Sequence, residues 1–145
     1  MKIYIGTKIL NAKPMTRAAY NSFRGWPLPA DENGADEGYL VEYADGGAPN
    51  TVQYAGYVSW SPKTQFEQAY LPIGDVSGMP SYQQRVVAEK VQLDAKIAVL
   101  SNFITCPLFS TLDRAEQARL VKQETAMKEY SDILSQRIAT FGVLA

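Results

Sequence analysis

The sequence predicts an α+β protein: a small N-terminal α/β domain with a short antiparallel sheet, followed by a long antiparallel helical hairpin. Three observations predict it. Residues 38–44 (GYLVEYA) and 56–61 (GYVSWS) alternate as strands around an Asp45-Gly46-Gly47 turn signal. Two long stretches, 80–104 and 113–141, carry apolar residues at alternating steps of three and four. Between strands and helices, Leu71 to Pro80 holds two prolines and two glycines, the composition of a linker. Domain boundaries at 1–79 and 80–145 follow.

Taken in order, Lys2 to Leu10 alternates well enough for a strand, with Gly6 as its weak point. A short helix opens after Pro14, with Thr16 as N-cap, Ala18, Ala19, Tyr20 and Phe23 for packing, and Gly25 as stop. Trp26 to Ala35 is a loop. The two strands form a hairpin whose loop reaches through Pro49-Asn50. A second short helix follows, with Ser61 as N-cap, Pro62 at its first position and Phe66 and Tyr70 on the buried side.

The first long helix starts after Pro80 and ends near Ile104, because Pro107 disfavours helix at Cys106. Its seam reads Val86, Lys90, Leu93, Ile97, Leu100 and Ile104. Asp113 and Glu116 resemble a capping box for the second helix, and Gly142 is its stop. That seam reads Leu120, Gln123, Met127, Tyr130, Leu134, Arg137 and Phe141. Each helix spans roughly 35–40 Å. A lone pair of such helices buries one face of each, so the hairpin is expected to pack against copies of itself.

Composition narrows the chemistry. Among 145 residues the net charge is −1, and the halves differ little: 6 basic and 8 acidic side chains in 1–79, 8 and 7 in 80–145. Steering toward a nucleic-acid polymer is not favoured, and an anion site must be a local arrangement. Histidine is absent, which removes the commonest general base and metal ligand. The single cysteine, Cys106, makes neither an internal disulfide nor a zinc cluster, and suits a reduced cytoplasmic setting. No apolar run reaches membrane-spanning length, and the N-terminus reads as mature protein rather than a signal peptide.

Catalytic templates are missing: no Ser-His-Asp set, HExxH, CxxC or P-loop is found. The acidic pairs at 31–32 and 36–37 read as a solvated loop, and Cys106, between apolar neighbours, as a packing residue. The polar seam residues Lys90, Gln123 and Arg137 are more informative. They either specify register and snorkel, or line a polar pocket between chains, where cations hold phosphate and Tyr82 and Tyr130 stack on a base.

The hairpin residues carry a resemblance. Gln83-Gln84-Arg85-Val86, Glu89-Lys90, Leu93-Asp94, Phe103-Ile104, Leu112, Glu116-Gln117, Leu120, Gln123, Met127, Tyr130-Ser131-Asp132-Ile133-Leu134 and Arg137-Ile138 run collinearly through it. They resemble a hairpin shared by two phage counter-defence families. One is the anti-CBASS sponge for cyclic oligonucleotides. The other is the first-described Thoeris anti-defence family, a sponge for the cyclic ADP-ribose isomers made by bacterial TIR-domain enzymes. The N-terminal α/β portion favours the second. Arg24-Gly25-Trp26, Asp36-Glu37-Gly38-Tyr39-Leu40-Val41-Glu42-Tyr43 and Ser59-Trp60-Ser61-Pro62 further resemble a segment that opens several small phage proteins.

The resemblance implies non-covalent capture without catalysis or cofactor, in the host bacterial cytoplasm, by a homo-oligomer, typically a hexamer, with pockets between hairpins of neighbouring chains. It implies Tyr82 as the adenine-stacking aromatic, although the family often has histidine near this point. It implies Gln92 as an amide on the first helix, and Arg119 and Gln123 as a basic and polar pair on the second. Pockets for cyclic di- or trinucleotides would draw on Lys90, Lys96 and Arg137. Two other readings stand beside the sponge: a ligand-free assembly module, and a hydrolase of the same signals, which the missing histidine and metal motifs disfavour.

Overall fold

The computed structural model describes residues 1–142 and is α+β. It divides into two compact units, residues 1–71 and a second from Pro72 onward.

The first unit is built on a three-stranded antiparallel sheet in the order β1-β2-β3, with β1 at Asn11–Pro14, β2 at Gly38–Tyr43 and β3 at Tyr57–Pro62. Leu40 pairs with Lys13 on one side and Trp60 on the other, and Glu42 with Val58. Alternation sends Leu40, Val58 and Trp60 to one face. There α1 (Arg17–Arg24) packs, and Tyr20, Leu40 and Val58 form the core with Met15, Phe23, Tyr54 and Trp60 against it. The opposite face takes α2 (Lys63–Ala69), where Phe66 stacks between Tyr39 and Tyr70 at ring separations of 4.2 and 5.0 Å.

The caps of α1 are those the sequence reads. Thr16 Oγ1 accepts from the Ala19 amide at 3.2 Å, and Gly25 closes the helix in the left-handed region at φ 70°. Two expectations need correction. Lys2 to Leu10 is not a strand: the ladder begins at Asn11, and Ile3, Tyr4 and Ile5 are exposed. The alternation is there, but β2 ends at Tyr43, leaving these residues no strand to pair with among the described residues; Lys8 reaches Asp45 by its side chain alone. Second, Ser61 does not cap α2. Ser61 and Pro62 remain in β3, paired with Tyr39 and Gly38, and the helix starts at Lys63 without a side-chain cap.

The second unit is a helical hairpin. Helix α3 (Ser81–Ile104) stops where Pro107 predicts, a 3₁₀ turn at Pro107–Thr111 makes the bend, and α4 (Arg114–Ala139) returns antiparallel. Asp113 caps α4 by accepting from the Ala115 amide at 2.9 Å. The reciprocal half of the capping box does not form, because Glu116 pairs with Arg119 instead. Gly142 adopts φ 84°, three residues past the end of α4.

Candidate functional site on the hairpin

Contacts across the hairpin fix which residues face inward. On α3 the seam is as read: Val86 is buried, and Lys90, Leu93, Ile97, Leu100 and Ile104 are partly buried. On α4 the inward residues are Leu120, Glu124, Met127, Ser131, Leu134, Ile138 and Phe141. Leu120, Met127, Leu134 and Phe141 stand as expected, but Gln123, Tyr130 and Arg137 do not. Each is exposed, one residue short of the true inward position. One residue is about 100° around a helix, so these three lie on the flank and not in the seam. The pattern misleads because the inward positions at 124 and 131 are Glu and Ser, which do not read as apolar.

Lys90 is the polar seam residue that does point inward. Its Nζ donates to Ser131 Oγ at 2.9 Å and to Asp94 Oδ2 at 2.8 Å, and Ser131 donates to Asp94 Oδ1 at 2.5 Å. Each partner is thereby satisfied, which is the condition for tolerating a cation in a seam. The hydrogen bonds from Lys90 and Ser131 hold the Asp94 carboxyl below its ordinary range. A second cross-hairpin bond joins Ser101 to Glu124 at 2.7 Å. Sequence reasoning missed Ser131, Asp94 and Glu124 as partners; their signal is the polar break they make in the apolar repeat.

The remaining expected residues face solvent. Tyr82, in the first turn of α3, is 59% exposed and meets Phe141 edge-on at 6.5 Å. Gln92 and Lys96 sit one turn apart on the outer face of α3, and neither side chain has a hydrogen-bond or ion-pair partner among the described residues. Arg119 pairs with Glu116 at 2.6 Å, and Gln123 reaches Met127 Sδ at 3.7 Å. Tyr130 donates to Glu89, and that bond raises the phenol above its ordinary value.

Two relationships follow. Arg119, Gln123, Tyr130, Ile133 and Arg137 fall on one stripe of α4 at steps of three, four and seven, all exposed. Within one hairpin, by contrast, Tyr82 and Arg119 are kept apart: Tyr82 lies at the open end against Phe141, and Arg119 in the second turn of α4, about 30 Å of helix away. One chain brings Arg119 to Gln123 and Gln92 to Lys96, but not Tyr82 to Arg119. Among the described residues no cluster of acidic or cysteine side chains is arranged to hold a metal ion, and no helix is long and apolar enough to cross a membrane.

A family model described as Sequestin matches residues 80–140, the hairpin itself. A 7.5 kDa protein of Enterobacteria phage T4, from the denB–rIIB intergenic region and described as uncharacterised, is 43% identical over 63 residues; the match covers 43% of this chain and 98% of the relative. The chain belongs to the Sequestin family. The shared region starts where α3 starts and ends with α4, so the family's common unit is the hairpin. No solved structure matches.

Proposed function

We propose that this chain is a phage-encoded sponge that binds and sequesters cyclic nucleotide immune signals without degrading them. Its first ligands are TIR-derived glycocyclic ADP-ribose isomers, with cyclic di- and trinucleotides as a second class held by Lys90, Lys96 and Arg137. It thereby blocks Thoeris immunity and, through the second class, CBASS. Membership of the Sequestin family supports sequestration over catalysis.

One observation carries the reading: a single solvent-facing stripe runs along α4, with the Arg119 guanidinium and the Gln123 amide one turn apart toward its start and the Tyr130 ring and the Arg137 guanidinium further along it. A cyclic ADP-ribose presents a pyrophosphate and an adenine. It needs charge-assisted hydrogen bonds and a stacking face, and no nucleophile or metal. The separation of Tyr82 from Arg119 within one hairpin favours a pocket shared between chains, Tyr82 and Gln92 coming from one and Arg119 and Gln123 from the next. Exposed Val99, Ile133 and Val121 supply apolar surface for that assembly, proposed as a hexamer.

Calorimetric titration with glycocyclic ADP-ribose isomers, beside a cyclic trinucleotide, tests the proposal. The expected result is nanomolar binding, about −12 kcal/mol, lost in Arg119→Ala, with intact ligand recovered from heat-denatured protein. Altered ligand in that fraction would mean a hydrolase. No binding of either class would leave the hairpin as an assembly module.

A further inference from the structure

The N-terminal unit carries a groove of its own, of about 580 Å³, between α1, the loop that follows it and β3. Its volume is in the range of small-molecule sites. Trp26, Tyr57 and Trp60 line it, and Trp26 and Tyr57 are close to half exposed.

Polar side chains from α1 line the same groove. Asn21 is 5% exposed, and its backbone carbonyl accepts from the Gly25 and Trp26 amides. Arg24 lies over the Trp26 ring at 4.3 Å and donates to Tyr20 Oη at 3.0 Å, yet no carboxylate pairs with it among the described residues. Its neighbour Arg17 pairs through Nη2 with Glu32 at 2.5 Å, but Arg17 Nε is buried without a hydrogen-bond partner among the described residues, and Asn50 spends both ends of its amide on the backbone of Val58.

We infer that this groove binds a mononucleotide-type ligand, a planar nitrogen heterocycle bearing a phosphate. The inference stands apart from the hairpin proposal. The lining has its match in that chemistry. The Arg24 fork suits phosphate oxygens. The Asn21 amide offers a donor beside an acceptor, the pattern of a base edge. Exposed indole and phenol faces stack on any base.

The test uses the whole chain and its own fluorescence. Both tryptophans of the sequence, Trp26 and Trp60, line this groove, and the hairpin has none. Titration with adenosine monophosphate should change tryptophan emission saturably. Adenosine alone and inorganic phosphate alone should each bind more weakly. Arg24→Ala should raise the midpoint by about tenfold or more, Arg24→Lys should recover only part of the loss, and Arg119→Ala on the hairpin should leave it unchanged. Circular dichroism of each variant establishes that it is folded. No saturable change with adenosine monophosphate, or a midpoint that a folded Arg24→Ala leaves in place, overturns the inference. Phosphate alone matching the nucleotide also overturns it, reducing the groove to an anion site.

Discussion

Lys90 on α3 donates to Ser131 on α4 at 2.9 Å, and Asp94 accepts from both. This triad ties the two helices in register at a point where the surrounding seam is otherwise apolar. Ser131→Ala removes one cross-hairpin donor and acceptor and leaves the half-buried Lys90 with Asp94 alone. The expected loss is about 1 kcal/mol, read from urea unfolding. Ser101→Ala, which cuts the second cross-link to Glu124, should cost a similar amount. On α3 the second site, Ser101, lies seven residues beyond Asp94 and eleven beyond Lys90, about 10 Å or more along the helix, so the losses should add.

The same triad sets an acid sensitivity. The Asp94 carboxyl lies below its ordinary range in the folded chain because Lys90 and Ser131 donate to it. A group depressed in this way contributes stability above its unfolded value, near 4, and that contribution fades as pH falls through the lower folded value. Thermal melts between pH 5 and acid should therefore show a steeper decline for the native chain than for Asp94→Asn. Parallel declines would show that the triad does not drive the effect.

Leu134 is fully buried, and it is the largest fully buried side chain of the hairpin. Leu134→Ala should cost 2–5 kcal/mol by the usual range for such truncations. The loss should appear in the hairpin's far-UV signal while tryptophan emission, which reports on the first unit, stays in place.

Gly38 accepts the Met15 amide at 2.9 Å and sits under Trp60. A Cβ there would overlap the Ser61 carbonyl oxygen and the indole ring, both inside the sheet. Gly38→Ala should destabilise the first unit by roughly 1–3 kcal/mol and shift Trp60 emission. An unshifted spectrum with native stability would mean that β3 gives way without cost.

Much of this was legible from local chemistry. Thr16, Gly25, Pro107 and Asp113 mark helix ends because their own side chains or dihedrals decide the outcome. What was not legible depends on partners elsewhere in the chain. Lys2 to Leu10 has a strand's alternation but no strand beside it among the described residues, since β2 ends at Tyr43. Ser61 reads as a cap in isolation, yet its pairing with Tyr39 holds it in the sheet. On α4, two apolar repeats offset by one residue share Leu120, Met127 and Leu134. Only the contacts of Glu124 with Ser101 and of Ser131 with Lys90 distinguish them. The candidate site was legible as a set of residues and not as a place: Arg119, Gln123 and Arg137 are on one stripe, but that stripe faces outward.

The distance between Tyr82 and Arg119 has a genetic consequence under the proposed reading. A pocket that draws each from a different chain can be rebuilt from two broken copies. Tyr82→Ala and Arg119→Ala, each unable to capture the signal alone, would restore a fraction of working pockets when co-expressed, because some junctions would unite the intact tyrosine of one chain with the intact arginine of the other. A pocket confined to one hairpin allows no such rescue.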